Sequence, residues 1–216
     1  MDLITNPSEI EKRSFEIIET ELNEKFAGHI FNQQNINVLK RVIHTTADFD
    51  YSDNLFFSVG AVMAAKNALK SGARIVTDTQ MVKAGINKKA VAQLGCDLHC
   101  FMDAPEVIET ARANGLTRAW AAVDRAAETL DHPVIFVVGN APTALIRLYE
   151  LITERAFSPV LIIAAPVGFV NVVESKALIL GLQTPHIVAK GQKGGSNVAA
   201  AICNALLFET TDRALI

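Results

Sequence analysis

Apolar residues recur along the chain with two spacings, one typical of helices and one typical of buried strands. Between Ile10 and Leu22 they fall on one face of a helix, and Asn6-Pro7 before them forms a helix start, with the asparagine as N-cap and the proline in the first turn. Short continuous apolar runs, such as Val134 to Val138, have the length of a strand buried on both faces. The chain is therefore predicted to open with a helix and to contain a covered sheet.

The two spacings alternate over the rest of the chain. Further helices are predicted at 34–43, 58–70, 88–94, 105–114, 118–130, 142–153, 174–182 and 196–208. Strands are predicted at 74–77, 98–101, 134–138, 160–164 and 186–188. Strands that alternate with helices form a mostly parallel sheet with helices on both faces. We predict an α/β fold in which residues 1–216 form a single domain, because no linker, repeat or low-complexity stretch interrupts the pattern.

Composition narrows the classes of partner. The 216 residues are 50% hydrophobic, enough to bury a substantial core. A net charge of -3 lacks the basic surface that a nucleic-acid backbone requires, so no nucleic-acid partner is expected. No uncharged apolar run approaches the roughly 18 residues of a membrane span, and the first residues show no secretory signal. We expect a cytoplasmic protein with no membrane partner.

The cysteines do not indicate a disulfide framework or a metal site. They number three, an odd and sparse set that is typical of reduced thiols. Cys96, His99 and Cys100 are close in sequence, but they straddle the start of a predicted strand, where alternate side chains point to opposite faces. No second ligand pair with zinc-like spacing follows. We therefore expect no metal.

Three loops follow predicted strands, at 139–143, 166–169 and 190–196. Ligands of parallel α/β sheets bind at this edge, where loops lead into helix N-termini. In the last loop, Gly194 and Gly195 would let backbone amides approach an anion at the start of a helix, with Lys190 and Lys193 beside it. The loop lacks the Gly-Lys-Ser/Thr ending of a nucleotide-triphosphate site. A flexible glycine entry to the helix is the alternative interpretation.

His44 is the candidate for proton transfer. It lies at the predicted C-terminal end of the second helix, in a polar segment that continues through Asp50. A helix C-terminus favours the imidazolium, which makes a proton donor near neutral pH feasible, although Arg41 would act in the opposite direction. A capping or buried histidine is the alternative. Neither the Gly-x-Ser-x-Gly of a serine hydrolase nor a dinucleotide fingerprint is present.

Five segments in order resemble the family of precorrin-8X and cobalt-precorrin-8 methylmutases. They are 41–50, 77–81, 139–145, 166–170 with 174–176, and 194–196, so the resemblance covers nearly the whole chain. It implies an isomerase of vitamin B12 ring synthesis that moves a methyl group from C11 to C12 of the macrocycle, giving cobyrinate or hydrogenobyrinate. It also implies a homodimer with the site near the subunit interface, and no external cofactor.

The resemblance implies that His44 protonates a ring nitrogen of the substrate. The loops and the family pattern together predict substrate-binding residues that suit a macrocycle with many carboxylates: Ser14, Thr45, Asp78, Arg118, Asn140, Pro142, Thr143, Lys190, Gly194, Gly195 and Ser196. Phe49, Phe169 and Val170 suit its apolar face. Ser14 has the alternative of facing solvent, and Arg118 of only capping or pairing. Many relatives have arginine where this chain has Gln192, so one carboxylate contact is either weakened or supplied by Lys190 or Lys193.

Two further questions stay open at the level of sequence. The segment from Ile43 to Asp50 resembles the cobalt-dependent branch of the family more closely than the metal-free branch, which favours cobalt-precorrin-8 over precorrin-8X as substrate. Another small α/β enzyme that handles anions would keep the helix-start sites but make His44 dispensable. A non-catalytic corrinoid carrier would use the same pocket and would need no titrating histidine.

Overall fold

A six-stranded sheet lies at the centre of the fold. The computed structural model describes residues 3–25, 33–131 and 133–211. The strands are β1 (Leu55–Phe57), β2 (Arg74–Thr77), β3 (Asp97–His99), β4 (Val134–Val138), β5 (Leu161–Ala164) and β6 (His186–Ala189). Their order across the sheet is β1-β6-β5-β4-β2-β3, and every neighbouring pair is parallel except β1 with β6. The predicted α/β class with a mostly parallel sheet is confirmed.

Eleven helices surround this sheet within the described ranges. They are α1 (Pro7–Lys25), α2 (Ile36–Thr46), α3 (Tyr51–Asn54), α4 (Ala61–Lys70), α5 (Gln80–Gly85), α6 (Lys88–Gln93), α7 (Pro105–Ala113), α8 (Arg118–Thr129), α9 (Pro142–Arg155), α10 (Val172–Leu180) and α11 (Ser196–Thr210). No helix in the described part of the chain is long and apolar enough to cross a membrane.

The two faces of the sheet carry separate cores, because side chains alternate along each strand. On one face, Ile135 and Val137 of β4 pack with α2, α4 and α11. On the other face, Phe136 and its neighbours in β4 pack with α8, α9 and α10. All five residues of β4 are buried, which explains why this strand is a continuous apolar run in the sequence. Helices on both faces were predicted, and this arrangement is confirmed.

The end of α2 differs from the prediction in a way that matters for His44. The helix was expected to stop at residue 43 but continues to Thr46, and the hydroxyls of Thr45 and Thr46 donate to the carbonyls of Arg41 and Val42. These back-bonds give the hydroxyls acceptors within the helix, so its last turn accommodates polar residues that the apolar pattern does not record. His44 therefore lies in the last turn, at the helix end where it was expected.

The apolar pattern of the sequence did not predict several short elements of the fold. The segment 51–57 forms α3 and the edge strand β1, which is held by antiparallel pairing with β6, more than 120 residues away along the chain. Helix α5 is a single short helix that the side chain of Thr79 caps by accepting from the Val82 amide. The helix predicted from residue 58 begins only at Ala61, after Gly60 in the left-handed region. The extent of the domain, 1–216, stays a prediction.

Candidate active site

The carboxyl ends of the strands form a crevice where the order of strands reverses. From β2 the chain moves outward to β3, whereas β4, β5 and β6 extend in the other direction. Ligands of α/β proteins bind at such a point. The loops after β2, β4 and β6 meet here: the hydroxyls of Thr79 and Ser196 are 3.2 Å apart, and a Cβ added to Gly139 would lie 2.9 Å from the Cα of Ser196. We call this the switch-point crevice.

Asp78 shapes one wall of this crevice. Its buried carboxylate accepts the amides of Gly139 at 2.8 Å and of Asn140 and Ala141 at 2.7 Å each. Burial raises the pKa of this carboxyl, while the three amide donors act to lower it. Both carboxylate oxygens thus accept hydrogen bonds from amides of the loop. The Asn140 side chain is exposed at the rim. A direct contact of Asp78 with substrate stays a prediction.

The other rim of the crevice comes from the starts of α8 and α9. The hydroxyls of Thr117 and Thr143 are 2.7 Å apart, which places the N-termini of these helices side by side. Pro142 opens α9 in its first turn. The Arg118 guanidinium is half exposed and makes only long contacts, at 3.4 Å to the Met102 carbonyl and 3.5 Å to Asp103. Its remaining N–H donors are available for a carboxylate.

The glycines of the last loop are required for a reason that the sequence analysis did not identify. A Cβ on Gly194 would lie 2.3 Å from the carbonyl oxygen of Ala165 and 2.6 Å from that of Pro166. The Gly195 amide donates to the Ala165 carbonyl at 2.8 Å. Contact between two backbones therefore demands these glycines. The Gly195 amide already has an acceptor inside the protein, and anion binding by other amides of this loop stays a prediction.

Lys176 is a residue of this region for which the sequence analysis predicted no role. Its side chain is buried in α10, and the ammonium donates to the carbonyls of Gly191 at 2.7 Å and Lys193 at 2.8 Å. Burial lowers its pKa to about 8. The signal was present in the sequence, since Lys176 lies at helical spacing between the apolar residues Val172 and Ile179 and so falls on the buried face.

The two lysines beside the glycines have different surroundings. Lys193 Nζ contacts Asp48 and Asp50 at 2.6 Å each, so its charge is shared between two carboxylates. Lys190 is exposed, and its ammonium lies over the Phe56 ring, 4.8 Å from the centroid. Of the two, Lys190 is the better candidate for an added carboxylate, because a third acid at Lys193 would meet repulsion from the two already there.

His44 borders a separate cavity of about 270 Å³ between α1 and the end of α2. The lining residues are mostly apolar and include both predicted residues of this region: Ser14, Ile17, Ile18, Glu21, Ile43, His44, Ala47 and Phe49. The His44 ring stacks on Phe15 with centroids 5.2 Å apart and planes 4° from parallel. Thr45 follows His44 and is exposed. The fold therefore brings Ser14, His44 and Thr45 into one region.

The charges around His44 favour its neutral form. Burial is the main cause of its lowered pKa, the Arg41 guanidinium is the second, and Glu11 acts in the opposite direction. Arg41 is held by Glu11 at 2.8 Å and lies over the Phe15 ring at 4.7 Å. The opposing effect of Arg41 was expected from the sequence, and burial adds to it. The role of His44 as a proton donor stays a prediction.

The predicted residues thus fall into two groups. No contact in the described part of the chain joins His44 directly to Asp78, Asn140 or Ser196. Lys193 connects the groups. It belongs to the glycine loop, and its side chain pairs with Asp48 and Asp50 just after α2. A large ligand that spans the His44 cavity and the loop edge would contact both groups at once.

The cysteines show no metal-binding arrangement in the structure. Among the described residues, no group of three or more His, Cys, Asp or Glu side chains lies in a position to hold a metal ion. Cys96 is buried, and its Sγ donates to the Leu69 carbonyl at 3.3 Å. These contacts are those of a core residue.

Comparison with known proteins confirms the resemblance. A model of the precorrin-8X methylmutase family matches residues 9–209. The chain is 43% identical over 214 residues to the cobalt-precorrin-8 methylmutase of Salmonella typhimurium, covering 96% of this chain and 98% of the relative. It is 36% identical over 211 residues to the precorrin-8X methylmutase of Pseudomonas aeruginosa, covering 97% and 99%. A solved precorrin-8X methylmutase from Thermus thermophilus has a TM-score of 0.86 at 39% identity, covering 95% and 97%.

Proposed function

The chain belongs to the precorrin-8X methylmutase family of isomerases, and from this premise we propose that it moves a methyl group from C11 to C12 of cobalt-precorrin-8 to give cobyrinate, with His44 as proton donor. Methylmutase activity in cobalamin biosynthesis is the activity of this family. The observation that carries the residue assignment is that His44 and Ser14, predicted separately, line the same cavity. The reaction is an internal migration, so the proposal includes no external cofactor.

The protein's part in the chemistry is to orient the macrocycle and to move one proton. Burial and Arg41 lower the pKa of His44 in the free protein. Substrate carboxylates bound nearby would raise it, because an adjacent negative charge favours the imidazolium. In this proposal the complex therefore charges His44, which protonates a ring nitrogen while the methyl group migrates and recovers the proton afterwards. His44 gives up one proton and takes one back, so substrate and product have the same composition and the step is a net isomerisation.

Polar and apolar groups along the loop edge support binding of such a substrate. Arg118, Asn140, Thr143 and Ser196 offer donors to carboxylates at the rim of the switch-point crevice. Lys190 offers a further donor beside β1, over the Phe56 ring. Phe169 and Val170 are exposed, at 83% and 78%, in the loop after β5. Large exposed apolar residues next to polar donors suit a macrocycle that is flat and apolar at its centre and acidic at its periphery.

We propose the cobalt form as the natural substrate. The segment around His44 favours that branch, and the relative from Salmonella typhimurium is named for it. We also propose a homodimer with a cytoplasmic location, as the family resemblance implies. A solution mass of twice the 23.4 kDa of one chain would support the dimer, and a mass of 23.4 kDa would contradict it.

Turnover of cobalt-precorrin-8 and of metal-free precorrin-8X by the purified protein tests the function. The methyl shift is followed by absorbance, and the product is identified by NMR because its mass equals that of the substrate. We expect the wild type to convert at least the cobalt form, and His44→Ala to bind it without conversion. His99→Gln, on the edge strand β3, is the matched control and is expected to retain activity.

Each outcome of this experiment has a distinct meaning. Binding without conversion by the wild type would contradict the enzyme and favour a carrier. Full activity of His44→Ala would contradict the role of the histidine while leaving the methylmutase intact. Conversion of metal-free precorrin-8X alone would reverse the assignment of the cobalt branch.

A further inference from the structure

Lys176 is a buried cation whose two hydrogen bonds within the described part of the chain both go to one loop. Its side chain is 1% exposed, and its ammonium donates to the carbonyl oxygens of Gly191 and Lys193. Among the described residues no carboxylate forms an ion pair with it. A buried charge without a counter-ion is costly, so its position calls for a functional reason. Because burial lowers the pKa only to about 8, the ammonium remains mostly protonated near neutral pH.

Three consecutive carbonyls of the loop are turned toward the protein. Lys176 binds those of Gly191 and Lys193, and the Gly168 amide donates to that of Gln192 at 3.1 Å. The described part of the chain contains no cis peptide bond. In a trans peptide the N–H points opposite to the C=O of the same unit. The amides that share units with the two carbonyls bound by Lys176 are those of Gln192 and Gly194, and these point away from the ammonium.

Neither of these two amides has an acceptor within the described ranges, whereas the Gly195 amide donates to Ala165. Gln192 is exposed and Gly194 is half-buried, so the loop is accessible from outside. Backbone N–H groups that face the same side of a loop can together bind an anion, and the Gln192 and Gly194 amides both point away from Lys176. The neighbouring ammonium of Lys190 is also exposed.

From these contacts we infer that Lys176 is a positioning residue: it holds the Gly191–Lys193 carbonyls inward so that the amides of Gln192 and Gly194 bind a carboxylate of the tetrapyrrole substrate. The inference rests on the proposed function for the identity of the ligand. The ammonium does not contact the substrate. It acts through the orientation of two peptide units, and the backbone supplies the donors.

Steady-state kinetics of Lys176→Met tests the positioning role. This change keeps the length of the side chain but removes the donor, so the two carbonyls are released. We expect KM for cobalt-precorrin-8 to rise roughly tenfold, the scale of one lost hydrogen bond to a charged group, while kcat stays within about twofold. Lys89→Met, an exposed lysine of α6, is the matched control and is expected to change neither parameter. An unchanged KM in a folded Lys176→Met protein would overturn the inference.

A second pair of variants tests the amide donor itself and does not disturb the core. Gln192→Pro removes the N–H of residue 192, and Gln192→Ala removes the same side chain while keeping the N–H. We expect KM to be roughly tenfold higher for the proline variant than for the alanine variant, on the same hydrogen-bond scale. Equal KM values for the two would show that this amide binds no carboxylate.

A binding measurement separates this inference from the proposed function. ¹⁵N-labelled protein is titrated with hydrogenobyrinate, the metal-free product, and with its methyl ester, which has no carboxylates. We expect the Gln192 and Gly194 amide resonances to shift with the acid, not with the ester, and to lose this response in Lys176→Met. Shifts without any turnover by the wild type would sustain the anion site and defeat the methylmutase assignment. Turnover without these shifts would support the methylmutase assignment and contradict the anion site at Gln192 and Gly194.

Discussion

At the scale of single residues, Arg41 adds to the effect of burial in lowering the pKa of His44 in the free protein. The guanidinium is held by Glu11 and lies over Phe15, the same ring on which His44 stacks. The histidine therefore has an aromatic contact that fixes its plane and a cation that disfavours its protonation. In the free protein both burial and Arg41 therefore act in favour of the neutral imidazole.

Replacing Arg41 should raise the pKa of His44. In Arg41→Gln the second cause of the lowered pKa is removed while Glu11, which raises it, remains. The imidazolium then persists to higher pH, and the descending limb of kcat/KM against pH should move upward with it. NMR titration of the His44 ring measures the shift directly. Arg13→Gln, an exposed arginine that pairs with Glu16, is the control. An identical His44 titration in both variants would contradict this account.

Asp78 is expected to be essential for the shape of the switch-point crevice. Asp78→Asn has nearly the same volume, but its amide group would place N–H donors against the loop amides that the carboxylate accepts. An unsatisfied buried donor costs about 1–3 kcal/mol, so the free energy of unfolding should fall by at least that much in denaturant titration. Asp97→Asn, which breaks the exposed pair with Arg74, should cost about 0–1 kcal/mol. An equal loss of free energy of unfolding in the two variants would contradict the structural role assigned to Asp78.

At the scale of elements, the end of α2 determines where His44 lies. The helix stops at Ala47, a non-glycine residue in the left-handed region with φ of 53°. This turn redirects the chain so that Asp48 and Asp50 reach Lys193 of the glycine loop. The break in the helix therefore joins the two groups of site residues.

Strain at this break should be measurable. Ala47→Gly removes the steric penalty of a Cβ in the left-handed region and is expected to stabilise the protein by about 0.5–1 kcal/mol in denaturant titration. Ala156→Gly tests the same effect at the end of α9, where φ is 54°. Ala68→Gly, inside α4, should instead destabilise by about 1 kcal/mol or more. Destabilisation at Ala47 would show that the turn is not strained.

At the scale of the whole molecule, histidines with a lowered pKa make stability depend on pH. Burial lowers the pKa of His44, His99 and His186. When the pH falls through the ordinary histidine range near 6.5, the unfolded chain binds protons that the native protein does not, so stability falls. Above that range both states are neutral and the effect vanishes.

His186 allows one of these contributions to be removed. Its Nδ1 lies 2.8 Å from the Thr184 carbonyl, while its buried Nε2 has no partner among the described residues. His186→Asn keeps a donor near Thr184 but has no titrating group. Between pH 7.5 and 5.5 the variant should lose less free energy of unfolding than the wild type, by at most about 1.4 kcal/mol per pH unit. His99→Asn is a second, independent case, and equal pH slopes in all three proteins would contradict the account.

Much of the architecture was predictable because burial leaves a periodic signal in the sequence. The strand at 134–138 and the strand at 74–77 were predicted with the bounds that the structure has. Strand β1 was missed because three residues carry no usable period and depend on pairing with β6. Helix α2 was predicted too short because its last turn consists of polar residues, whose hydroxyls bond back to the helix and which the hydrophobic pattern does not record.

The sequence by itself determined the fold class, the family and the candidate residues of the site, because apolar spacing and ordered motifs are local properties of the chain. Only the tertiary structure decided how those residues meet. It turned the Asp78 carboxylate toward loop amides, held Arg41 against Glu11 and the Phe15 ring beside His44, and put the Lys176 ammonium beneath the glycine loop. These features depend on distance and burial between segments far apart in the chain, and charge interactions act through space rather than along the sequence.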